Sequence, residues 1–269
     1  MTECIHGLDA ELCDLCTPRK REEPVVAPVA RPAAARRAPV GGSAIRMPAV
    51  VRAPGAKRAA PAAAALPDID LATMRVHHWT HLSNLADIFS DGRLRADAVP
   101  ELDVASPEAR ERRAAAALPT GSTVAGHVPF ALSPDAATWN EVRSGAEGSR
   151  WSPAARATRP TDFVVLVAPV AALPDDFVLA DGDPAGPLAR FGVGQAEAAT
   201  LARRASIADP DLLEVEILVP DSFDLSLVTL IGVPNDRTRD EVKSLLRDVE
   251  GRAPRVAVYP PWFRPSEAE

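Results

Sequence analysis

Cysteine is absent after residue 16, so no disulfide can staple the bulk of this 269-residue chain. The three that occur, Cys4, Cys13 and Cys16, are an odd number crowded beside His6, a pattern that suggests metal more than oxidation. Aromatic residues make up only 4%, and glycines number 15 against 27 prolines, which indicates that part of the chain does not pack into a core. No apolar run approaches the roughly eighteen residues of a membrane span. The N-terminus also lacks the basic-then-apolar plan of a signal peptide, so a cytoplasmic protein with no membrane partner is expected. Neither G-x-G-x-x-G nor H-E-x-x-H occurs, which argues against a doubly wound dinucleotide fold and against a helical zinc-protease site.

What is present divides into three textures. In the head, residues 1–17, Cys4, His6, Cys13 and Cys16 form a C-x-H-x6-C-x2-C pattern. A C-x2-C pair lets two thiolates reach one ion from a tight turn, and Cys4 with His6 completes a tetrahedron, so a structural Zn2+ is expected. So short a segment has no core of its own, and the metal would supply its folding free energy. The plain alternative is a tail with incidental thiols. Residues 18–67 are rich in Pro, Ala and Arg, with ten basic side chains against Glu22 and Glu23. Repeated prolines and the absence of a hydrophobic period predict a disordered, flexible linker, either a solvated tether or a weak phosphate contact.

A folded domain is expected over residues 68–269. "MRVHHW" reads as a strand, and "SNLADIFSDG" as a short helix with Ser83 as N-cap and Gly92 as its stop. "SPEARERRAAAA" is a second helix, capped by Ser106 with Pro107 at its first position. "HVPFALS" is a short strand, and the apolar run from Phe163 to Val167 suits a strand buried on both faces. "DLLEVEILVPDSF" alternates, "LVTLIGV" is another buried strand, and "DRTRDEVKSLLRDVEG" is amphipathic, with Val242, Leu245, Leu246 and Val249 inward. "RVAVYPPWF" closes the domain as a final strand. Strands and helices intermingle without a βαβ repeat, which predicts an α+β fold with a split or mixed sheet.

Three stretches could carry chemistry. In "VHHWTHLSNL", strand parity puts His77, Trp79 and His81 on one face and His78 with Thr80 on the other, so adjacent histidines cannot share an ion without a bend. The same stretch hands a strand over to a helix N-terminus, where free backbone N–H groups suit a phosphate or polar ligand. "RERR", Arg110 to Arg113, is either a solvated basic face or part of a site. In "EVE", Glu214 and Glu216 point the same way from one strand, as the wet side of an edge or as a catalytic carboxylate and its helper.

Taken in order, "HHWTHLSNLADIFSDGRL", "RERR", "GHVPFALSP", "LADGDPAGPLARF" and "EVEILV" resemble the DarT-like ADP-ribosyltransferases of bacterial toxin–antitoxin systems. The resemblance covers roughly residues 74–265. It implies an ADP-ribosyltransferase-like split mixed β-sheet with flanking helices, NAD+ as substrate, and pentosyl transfer to a base of single-stranded DNA. It further implies a cognate antitoxin of the macrodomain type that removes the mark. By the same resemblance, His78, Thr80 and Asn84 fall in the NAD+-binding motif, with His127 and Glu214 beside it. Arg112 or Arg113 matches the arginine that stabilises the reacting NAD+, and Glu216 matches the catalytic glutamate. Two positions depart from the family, which usually has tyrosine where this chain has His127 and often a polar ring near Asp183. Base stacking then falls to candidates such as Trp139 or Trp151. The competing expectations are a transferase acting on RNA or protein, and a non-catalytic NAD+- or nucleic-acid-binding module on the same fold.

Overall fold

Alternating side chains of β1 (Arg75–His81) set the plan, because the strand has to satisfy a core on each face. A computed structural model of the protein describes residues 69–249 and 253–264. The expected zinc head and linker lie outside them. All described residues fall in one unit, Leu66–Glu269.

A short 3-10 turn after β1 leads into α1 (Leu85–Asp91), which stops at Gly92 in the left-handed region, φ 66°, where glycine carries no steric penalty. The cap of that turn is not Ser83. The His81 ring accepts the Ser83 N–H instead. There follow β2 (Arg93–Arg95), α2 (Pro107–Ala115), β3 (His127–Ala131), α3 (Ala137–Arg143), α4 (Pro153–Ala157), β4 (Phe163–Pro169), β5 (Val178–Ala180) and β6 (Phe191–Val193). After them come α5 (Gly194–Ala205), β7 (Glu216–Pro220), β8 (Ser222–Asp224), β9 (Leu230–Val233), α6 (Asp236–Leu245) and β10 (Arg255–Val258). The Ser106 side chain caps α2 and Pro107 opens it, as expected. The final strand ends at Val258, and Pro260–Phe263 forms a 3-10 turn, because two consecutive prolines remove the N–H donors a ladder needs.

Eight strands form one sheet in the order β10-β9-β4-β1-β3-β7-β5-β6, and β2 pairs with β8 separately. Only β9 and β10 are parallel, so the large sheet is mixed. β1 pairs with β4 along its whole length, yet it meets β3 at a single register pair, His77↔Ala131. The sheet is therefore two four-stranded halves joined at one point, the split expected from the sequence.

β4 explains its continuous apolar run by facing two cores. Val164, Leu166 and Ala168 join the side packed by α1, α5 and α6. Phe163, Val165 and Val167 join Trp79, Trp139, Trp151 and Phe263 on the side of α3 and α4. On that second side Gly232 lets Trp262 lie directly on β9, since a Cβ there would come within 2.8 Å of the indole.

Candidate active site

Beyond the His77↔Ala131 pair, β1 and β3 diverge, and the wedge between them opens into a cleft of about 640 Å³, within the range of small-molecule sites. Register then fixes what stands at the apex. Ala131 pairs with Glu216, and Glu216 with Ala180, so His77, Ala131, Glu216 and Ala180 form one row across four strands. Paired residues project to the same face, here the side of the aromatic cluster. His78 and Thr80 project to the opposite face, as parity required. The seam is open, so residues from both faces line the one cleft.

α2 brings Arg113 to the apex. Its Nη2 donates to Glu216 Oε1 at 2.7 Å and its Nη1 to Oε2 at 3.3 Å, a bidentate pair with Glu216 only 16% exposed. Burial draws the Arg113 pKa down, but Glu216, with a contribution from Asp183, outweighs it, and the net shift is upward. Arg112, one residue earlier, is exposed on the cleft rim. The choice between the two arginines is thus resolved for the carboxylate contact. Glu214 is corrected: β7 begins at Glu216, and Glu214 is exposed on the preceding turn, where Leu212 takes φ 52°. It lines the cleft but shares no strand face with Glu216.

A second ionic group faces the first. Arg150 donates to Asp183 at 3.0 Å and to Glu141 at 3.2 Å, and Glu141 also accepts the Trp151 indole N–H at 2.8 Å. Asp183 sits three residues past Ala180, the register partner of Glu216, which places the β5–β6 loop beside the carboxylate. Sequence reading missed Arg150 and Glu141, because neither belongs to a spaced motif. Trp139 and Trp151 do not offer stacking faces. Trp139 is 2% exposed and stacked on Trp79 at 4.0 Å, and Arg150 covers Trp151.

The histidines differ in environment. His78 Nδ1 lies 2.8 Å from Pro129 O, bridging the wedge. A carbonyl only accepts, so Nδ1 carries the proton. Burial pushes the pKa down against the pull of that bond, and the neutral ring leaves Nε2 as an acceptor. His77 is buried, and its pKa falls to about 4 through burial first, opposed by its contact with Ala131 O. The His127 ring is buried against Thr123 O at 2.9 Å. Thr80 Oγ1 accepts from Asn84, and Asn84, in the cleft wall, spends its amide on Thr80 and the Leu102 backbone. Among the described residues no group of three or more His, Cys, Asp or Glu side chains is arranged to hold a metal.

The family model for DarT, described as ssDNA thymidine ADP-ribosyltransferase, matches residues 77–264, well over half of the chain. This chain belongs to the DarT family. Among solved structures, Thermus sp. 2.9 DarT in complex with ADP-ribosylated ssDNA is similar at 27% identity and a TM-score of 0.59, covering 71% of this chain and 96% of that one. The same Thermus protein in complex with NAD+ is similar at 26% identity and a TM-score of 0.56, covering 74% and 99%. Thermosipho africanus DarTG in complex with ADP-ribose shares the fold at 15% identity and a TM-score of 0.55, and the match takes in 51% of that chain. No curated protein matches in sequence. The DarT match begins at β1 and ends just after the last 3-10 turn, so it leaves the head and linker outside. Within it fall Arg113, Glu216 and all three histidines of the opening motif.

Proposed function

We propose that this DarT-family chain transfers ADP-ribose from NAD+ to thymidine in single-stranded DNA, with Glu216 and Arg113 as its catalytic pair. The observation that carries the reading is the bidentate Arg113–Glu216 contact in the register row where the half-sheets join. Support comes from the family description and from the two Thermus DarT complexes.

Breaking the bond between ribose C1′ and nicotinamide leaves positive charge on the sugar while nicotinamide departs with the electron pair. A carboxylate fixed near C1′ stabilises that charge more in the transition state than in the ground state. Glu216 fills this role and accepts the proton that the attacking ring nitrogen of the base gives up. In the present arrangement both its oxygens are taken by Arg113. Arg113 keeps the shorter bond, Nη2 to Oε1, and so orients the carboxylate, while the 3.3 Å bond to Oε2 yields and turns that oxygen toward the ribose. His78 Nε2 accepts from a ribose hydroxyl. Holding sugar and base in one wedge supplies much of the rate by proximity, and an unpaired strand offers the base already out of a duplex.

Incubation of the protein with NAD+ and single-stranded DNA, RNA or total protein separates the candidate targets. Mass spectrometry is expected to find one ADP-ribose on thymidine of the DNA. Labelling confined to RNA or protein would overturn the DNA assignment, and no labelling of any substrate would favour a non-catalytic module.

The head is proposed as a structural zinc site of Cys4, His6, Cys13 and Cys16, on the tetrahedral chemistry of its ligands. Zinc content should fall from one ion per chain to none in the full chain carrying C13S and C16S; equal content would remove the proposal. A cytoplasmic setting, where the DNA is, and a macrodomain-type antitoxin that removes the mark complete the reading. The antitoxin rests on the family resemblance, with a shared fold in DarTG.

A further inference from the structure

Asn84 lies in the stretch expected to bind NAD+, yet its amide is spent elsewhere. It is 7% exposed, its Oδ1 accepts the Leu102 N–H at 2.9 Å, and its Nδ2 donates to Leu102 O at 3.0 Å and to Thr80 Oγ1 at 3.2 Å. The Leu102 N–H can only donate and its carbonyl only accept, so the partners fix the amide orientation. Both amide protons are committed. Asn84 also precedes α1 without capping it. A residue that grips another residue's backbone by donor and acceptor together is holding a chain segment in place.

That segment is the strap 102–106, which leads straight into α2. From the other side Ser152 Oγ donates to Asp103 O at 2.7 Å, Ser152 N to Val104 O at 2.9 Å, and Ser106 N to Arg150 O at 2.9 Å. Ser106 then caps α2 through the Ala109 N–H, and Asp103 pairs with Arg110 of the same helix. Arg113 follows on the helix, against Glu216. Between Leu102 and Arg113 the chain is fixed by side-chain and backbone bonds, so a shift of the strap moves the guanidinium.

We propose that Asn84 is a positioning residue that holds the strap so that Arg113 meets Glu216, and that it does not contact NAD+. The proposal rests on the catalytic reading above. It predicts that N84A lowers kcat roughly 10- to 100-fold, with KM for NAD+ changed by less than about twofold. In an R113K background the same substitution should cost little further, because the two act through one contact. Hydrogen exchange gives a readout without turnover: amides of 102–113 should exchange faster in N84A while those of β4 keep their protection. A KM for NAD+ raised about tenfold with kcat intact would make Asn84 a ligand and overturn the proposal. So would full multiplicative losses in the double variant, or unchanged exchange across 102–113. Should the wild-type protein transfer no ADP-ribose, the functional reading fails while the exchange experiment still decides the hold on the strap.

Discussion

Arg112 and Arg113 differ by roughly 100° of helical rotation, and that angle decides which one is buried against Glu216 and which stays on the rim. The sequence offers both equally, because the phase of α2 relative to β7 exists only after folding. His77 shows the same limit from another direction. Parity separates it correctly from His78, but its register row runs through Glu216, which no local pattern reveals. Its buried ring also makes a pH prediction. The folded pKa, about 4, lies below the ordinary 6.5, so the unfolded state binds the extra proton in between. Stability should be full above pH 6.5 and decline as pH falls toward 4, by about 3 kcal/mol at most. Urea denaturation of wild-type and H77Q protein between pH 7 and 5 checks this. The wild-type curve should fall more steeply than that of H77Q, and parallel curves would contradict it.

Elements with strong local signals were legible. β4 reads from its apolar run, α2 from Ser106 and Pro107, and α1 from Gly92. α5 was not legible, because its start lacks a side-chain cap: Glu197 Oε2 accepts the Val193 N–H instead, and Gly194 turns the corner at φ 69°. The family resemblance implies a split sheet, but the place of the joint, one pair between β1 and β3, is a property of two strands far apart in sequence. A tighter contact lies between β9 and the last 3-10 turn, where an alanine Cβ at Gly232 would meet Val165 Cγ1 at 2.7 Å and the Trp262 ring at 2.8 Å. G232A should therefore destabilise the fold by about 1–3 kcal/mol, the usual cost of overpacking. Chemical denaturation measures it, and an unchanged midpoint would show that Trp262 is not seated there.

For the whole molecule, acidic composition and a nucleic-acid substrate are reconciled in the cleft. The chain carries a formal charge of -7, yet the cleft lining has six arginines, Arg93, Arg95, Arg110, Arg112, Arg113 and Arg150, against as many acids. A strand entering the wedge meets exposed cations at the rim, Arg93 and Arg112, before it meets Glu216. The central claim is that one carboxylate at the seam drives transfer from NAD+ to DNA. Transfer to a thymidine-containing single strand should be measured by mass spectrometry for wild-type and E216Q protein, with NAD+ binding followed in parallel. The account predicts retained NAD+ binding and a loss of transfer of about 100-fold or more; full transfer by E216Q would contradict it.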